Sequence, residues 1–121
     1  MRRWLVRVVF MIAGLPFAVS AALPEVTIEI RNNLFLPQTV TIPAYKKVRL
    51  TFINNDPTPE EIDSFDLNRE KVIFANSRGT IFVGPLPPGE YRFFGEFHPD
   101  SAVGKVLVTN AATQKDPANA Y

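Results

Sequence analysis

The sequence predicts an all-β Greek-key sandwich of about seven strands, on three observations. Short runs rich in β-branched and aromatic residues recur along the chain, each bounded by Pro, Gly, Asn or Asp. No stretch carries a 3.6-residue apolar repeat over ten residues, so long helices are not expected. The chain has 121 residues, one domain's worth, and ordinary globular composition, with 46% hydrophobic and 21% charged residues.

The N-terminal segment stands apart from that domain. Arg2, Arg3 and Arg7 precede an apolar stretch over residues 8–19, and Ser20, Ala21 and Ala22 close it. This is the charged, apolar and small-residue order of a secretory signal. The division expected is a signal peptide over 1–22, cut after Ala22, a folded domain over 23–110 and a flexible C-terminal tail over 111–121. The apolar run is short and interrupted by Gly14 and Pro16, so no stable membrane insertion is expected after cleavage. An uncleaved anchor is the competing reading.

The strands follow in order. Residues 26–30 alternate as Val-Thr-Ile-Glu-Ile, the period of a half-buried strand. Residues 39–42 continue the style after Pro37, and residues 48–54 alternate cleanly before ending in polar side chains. Residues 71–74, 80–83, 91–97 and 105–109 complete the set. The best helical candidate is 60–67, where Ile62 and Phe65 are three apart; it makes one or two turns at most. Tyr91, just after Pro87-Pro88-Gly89 and at the head of a long strand, reads as a tyrosine corner.

Composition removes several function classes. There is no cysteine, which excludes disulfides, thiolate metal sites and cysteine nucleophiles. One histidine, His98, excludes any site built on two. Without the three leader arginines, 13 basic residues become 10 against 12 acidic ones, a net charge of −2. Nucleic acid is therefore not an expected partner. Both methionines and the single tryptophan also lie in the leader. Ser64 and Ser101 lack a Gly-x-Ser-x-Gly elbow, which leaves little for a hydrolase reading.

Two places gather polar residues against the strand pattern. Between Asp56 and Glu70 lie six of the twelve acids, offset inside the run by Arg69 alone. A solvated loop is the plain reading. However, Glu60 shares strand parity with Ile62, so an extended chain turns its carboxylate toward the core, where it requires a cation or hydrogen-bond donors. In the second place, residues 91–108, the histidine ends an aromatic strand. Glu96 and His98 are two apart and share a face if the chain is extended, and Asp100 continues the series. Carboxylate with imidazole is a reasonable ligand set for iron, copper or zinc.

In order and spacing these segments resemble the cupredoxins. Asn54-Asn55, a short loop, then Pro59 and Ile62 is similar to the first ligand segment of that family, with Glu60 at the copper-binding His. Tyr91, Phe93 and Phe94 match the aromatic strand. Gly95 falls at the Cys, His98 on the loop His, Ala102 about where Met stands, and Gly104-Lys105-Val106 on the final strand. Of the four type 1 copper ligands only His98 remains, so a blue centre is excluded. The chain looks more like a cysteine-free branch, similar to the cupredoxin domain of bacterial periplasmic iron-uptake proteins.

What that resemblance implies is a periplasmic protein holding one metal ion, copper or iron. It would serve iron or copper uptake or oxidation alongside a membrane iron-transport complex, with ferroxidase-type accessory activity left open. The metal role carries over to Glu60, Glu61, Glu96 and His98, with Asp100 as a further candidate. The alternative is a metal-free Greek-key interaction module that has lost its copper site. If the carboxylates crowd one another in the metal-free state, removing a ligand is expected to leave stability unchanged or slightly raised.

Overall fold

The computed structural model describes residues 9, 11–15 and 22–110. The expected signal peptide therefore lies largely, and the expected tail wholly, outside the described residues. Nine strands form two sheets, two more than expected, with no helix among the described residues. They are β1 (Glu25–Arg31), β2 (Leu34–Leu36), β3 (Thr39–Pro43), β4 (Val48–Asn54), β5 (Glu60–Ser64), β6 (Arg69–Ile73), β7 (Arg78–Val83), β8 (Gly89–Gly95) and β9 (Val103–Thr109).

One sheet runs β2-β1-β4-β7 and the other β3-β9-β8-β5-β6. Sequence neighbours β2 and β3 fall in different sheets. The pairs β1–β4 and β3–β9 are parallel, so the chain crosses between the sheets in Greek-key fashion.

The inward faces meet in one core. Ile28, Ile30, Leu50 and Phe52 from the first sheet pack against Val40, Ile42, Ile62, Phe93 and Val106 from the second. Phe35, Phe52 and Phe93 form an aromatic trio with centroids 5.0 to 6.0 Å apart. The Tyr91 hydroxyl donates to the Pro87 carbonyl at 2.8 Å, which is the bond expected of a tyrosine corner.

The two unexpected strands have separate causes. β2 is short and follows Asn32 and Asn33, both at positive φ (53° and 58°), the two-residue turn that matches strand twist in a hairpin. β5 overturns the helical expectation for 60–67. Glu60, Ile62 and Ser64 alternate inward along a strand, whereas Phe65, which had suggested a helical face, is 82% exposed. The three-residue spacing of Ile62 and Phe65 was a coincidence of a strand end and a turn. Ser64 closes that turn, its hydroxyl accepting from Leu67 N and donating to the Arg92 carbonyl.

The β1–β2 turn is anchored from a distance. Asp56 is 7% exposed, and its two oxygens accept the backbone N–H groups of Asn32 and Asn33 at 2.8 and 2.9 Å. Asp56→Ala leaves both donors unmatched and is expected to cost about 2 kcal/mol, a fall of roughly 10 °C in melting temperature for a domain of this size. Thermal melts of the two proteins measure it.

Candidate metal centre

β5 and the β8–β9 loop build the site at one end of the sandwich. Inward alternation on β5 places Glu60 in the core at 1% exposure. Three donors meet its carboxylate. Oε1 accepts the N–H groups of Phe97 at 2.9 Å and Glu61 at 3.1 Å, and Oε2 lies 2.7 Å from His98 Nδ1. The His98 side chain is 30% exposed, so the imidazole joins the buried carboxylate to the surface.

His98 reaches that position through a turn rather than along a strand. β8 ends at Gly95, and His98 N donates to the Gly95 carbonyl at 3.1 Å. The His98 carbonyl then accepts from Ala102 N at 2.8 Å and from Ser101 N at 3.2 Å, and the Ser101 hydroxyl donates to the Asn33 carbonyl at 2.7 Å. The strand expected over 91–97 therefore stops two residues early. Glu96 and His98 do not share a strand face: Glu96 is exposed, while His98 turns toward Glu60.

Of the residues expected in the site, Glu60 and His98 are the two whose side chains bond to each other. Glu61 and Glu96 are joined to the pair through backbone N–H groups, Glu61 N donating to Glu60 Oε1 and Glu96 N to the Glu61 carbonyl. Glu61 is partly exposed, one step out of phase with inward-facing Glu60 and Ile62. It sits among Glu70, Glu96 and Asp63, and Asp63 pairs with Glu70 across the β5–β6 ladder. Asp100 is exposed in the loop. Among the described residues no group of three or more His, Cys, Asp or Glu side chains is arranged to hold a metal ion. Sequence reasoning missed Ser101, Asn33 and Asp56, which brace the His98 loop. The Asn32-Asn33 dipeptide after a strand was the available signal, since it marks a two-residue hairpin turn.

The carboxyl of Glu61 is pushed above its ordinary value, first by desolvation and then by Glu70, Glu96, Asp63 and Glu60. The folded state thus holds this proton more tightly than the unfolded chain does. Its contribution to stability falls as pH rises from the ordinary glutamate value, about 4.3, through the raised one. Glu61→Gln should be more stable than the wild type at neutral pH, and the difference should vanish below about pH 4. Melting temperatures across that range provide the check.

The donor set itself tests the fit to a metal. An imidazole nitrogen and a carboxylate oxygen converge, and there is no thiolate in the chain. These donors suit Cu(II), zinc or iron and disfavour Cu(I). They fit an ion whose remaining positions are filled by solvent or by a second molecule, and they exclude type 1 copper.

Two sheets with parallel β1–β4 and β3–β9 pairs, and a loop histidine between the last two strands facing β5, define a sandwich of the cupredoxin class. Residues 4–108 match the family described as Cupredoxin-like domain, and the chain belongs to that family. An uncharacterized protein of Rickettsia prowazekii is 42% identical over 86 residues, covering 71% of this chain and 69% of that one. Among solved structures, a purple cupredoxin from Nitrosopumilus maritimus aligns with TM-score 0.55 and 26% identity, over 69% of this chain and 98% of that one. The metal-binding domain of the Cu(I)-exporting P-type ATPase of Streptococcus pneumoniae aligns with TM-score 0.64 and 16% identity, over 71% and 85% of the two chains. That second likeness is one of fold.

Proposed function

We propose that this protein is an exported metal-binding member of the cupredoxin-like family. In this reading Glu60 Oε2 and His98 Nδ1 hold one non-blue ion, Cu(II) first and iron second. The observation that carries it is the carboxylate at 1% exposure facing the chain's single imidazole at 2.7 Å, in the two segments where the resemblance puts ligands. The fold shared with the metal-binding domain of a Cu(I)-exporting ATPase supports copper as the metal, and the oxygen and nitrogen donors favour its Cu(II) form. A bound ion would supply Lewis acidity and, if iron, a preference for the oxidised state among oxygen donors. Binding would replace the contact between Oε2 and Nδ1 with bonds from both atoms to the ion.

Glu61, Glu96 and Asp100 are proposed as outer carboxylates that attract the cation or complete its shell. The role proposed is to hold, or help oxidise, the ion in the periplasm for a membrane transport complex. Export agrees with the exposure of Val9, Met11, Ile12 and Leu15, which contribute nothing to the core. No helix of the described residues is long and apolar enough to cross a membrane.

A second reading, a metal-free interaction module, draws on a specific observation. The Glu60 carboxylate already has three hydrogen-bond partners, and no third ligand group is assembled among the described residues. Calorimetric titration separates the two. The proposal expects one equivalent of Cu(II) bound well below millimolar and a nearly colourless complex, without intense absorption near about 600 nm. Affinity no tighter than about millimolar for both Cu(II) and iron selects the module. Export is tested by intact mass, which should begin at Leu23 in a soluble fraction; retention of Met1 in membranes refutes it.

A further inference from the structure

Gly95 ends β8, and its backbone is not in the left-handed region that requires glycine. What requires glycine there is space. A Cβ at this position would lie 2.5 Å from Glu60 Cδ, 2.7 Å from Glu60 Oε2 and 2.8 Å from Ala102 Cβ. Real Cβ atoms do not approach that closely, so something would have to shift.

The carboxylate cannot retreat without loss. Oε1 is held by two backbone N–H groups, Oε2 by His98, and the side chain is enclosed by the core. The volume that a side chain at 95 would fill is the volume that the Glu60 carboxylate occupies.

We infer that Gly95 is the specificity-determining position of this site: the missing side chain seats the Glu60 carboxylate against His98 and commits the site to oxygen and nitrogen donors. A side chain at 95 and an inward glutamate at 60 are alternatives. With the carboxylate inside, no soft donor can enter from β8, so the site selects Cu(II) over Cu(I). The selection rests on the metal-binding reading above, whereas the steric exclusion stands on the metal-free geometry.

A double-mutant cycle on metal-free protein tests the seating. Gly95→Ala should lower the folding equilibrium constant at least about tenfold more with Glu60 present than in the Glu60→Ala background. The Ala102 contact is common to both backgrounds and cancels. The amide signals of Phe97 and Glu61 and the ring signals of His98 should move in Gly95→Ala. Equal cost in the two backgrounds, or unmoved signals, overturns the inference.

Glu60→Ala/Gly95→Cys provides the second arm and does not crowd the carboxylate space. Relative to wild type, its ratio of Cu(I) to Cu(II) affinity should rise at least about 100-fold, since a thiolate now occupies that space. An unchanged ratio overturns the selection. If the wild type binds no copper while the cycle remains coupled, the metal-binding reading fails and the seating of Glu60 by Gly95 stands.

Discussion

Glu60→Ala is expected to destabilise the metal-free protein by about 3 kcal/mol, since it strips one partner from a buried, hydrogen-bonded pair. The loss has three parts. Phe97 N and Glu61 N lose their acceptor, His98 Nδ1 loses its partner, and a cavity opens beside Gly95. At roughly 4–8 °C per kcal/mol for a domain of this size, the melting temperature should fall by more than 10 °C. This reverses the expectation that ligand removal relieves crowded carboxylates. Crowding does act on Glu61, whose neighbours are acidic, but Glu60 is surrounded by donors. Chemical denaturation of the two metal-free proteins decides between the signs.

His98→Ala should act mainly on metal binding. Its imidazole is partly exposed, so water can replace it beside Glu60 Oε2, and the metal-free protein should lose only about 1–2 kcal/mol. Cu(II) affinity, by contrast, should fall at least about 100-fold, because the site has two convergent donors and loses the nitrogen. Adding Glu60→Ala should weaken binding little further, since two ligands of one ion act as a unit. Additive losses in calorimetric titration would mean separate ions, or none shared.

The architecture was legible wherever alternation was clean. β1, β3, β4, β7 and β9 fall where the period-two runs stand, and the tyrosine corner is where Tyr91 and the Pro-Pro-Gly turn placed it. β5 was hidden because a strand with Glu60, Ile62 and Ser64 on its inner face offers one apolar residue in three to a pattern search. Its inward parity still pointed to the buried carboxylate, which no hydropathy signal could do. The His98 turn was hidden for a different reason. Aromatic residues continue past Gly95 to Phe97, as they would along one unbroken strand, and the hydrogen bonds that reverse the chain there join backbone groups. The bracing of the loop through Ser101, Asn33 and Asp56 joins residues 23 to 68 positions apart, so the Asn32-Asn33 turn is legible locally but its partners are not.

The sharing of one ion by Glu60 and His98 underlies the proposed function. Its most direct test is the pulsed electron paramagnetic resonance spectrum of protein loaded with one equivalent of Cu(II), free of any histidine tag. The chain contains one histidine, so modulation from a single coordinated imidazole is expected, absent in His98→Ala, together with a non-blue signal that changes in Glu60→Gln. A spectrum without imidazole modulation, or one that His98→Ala leaves unaltered, would contradict it.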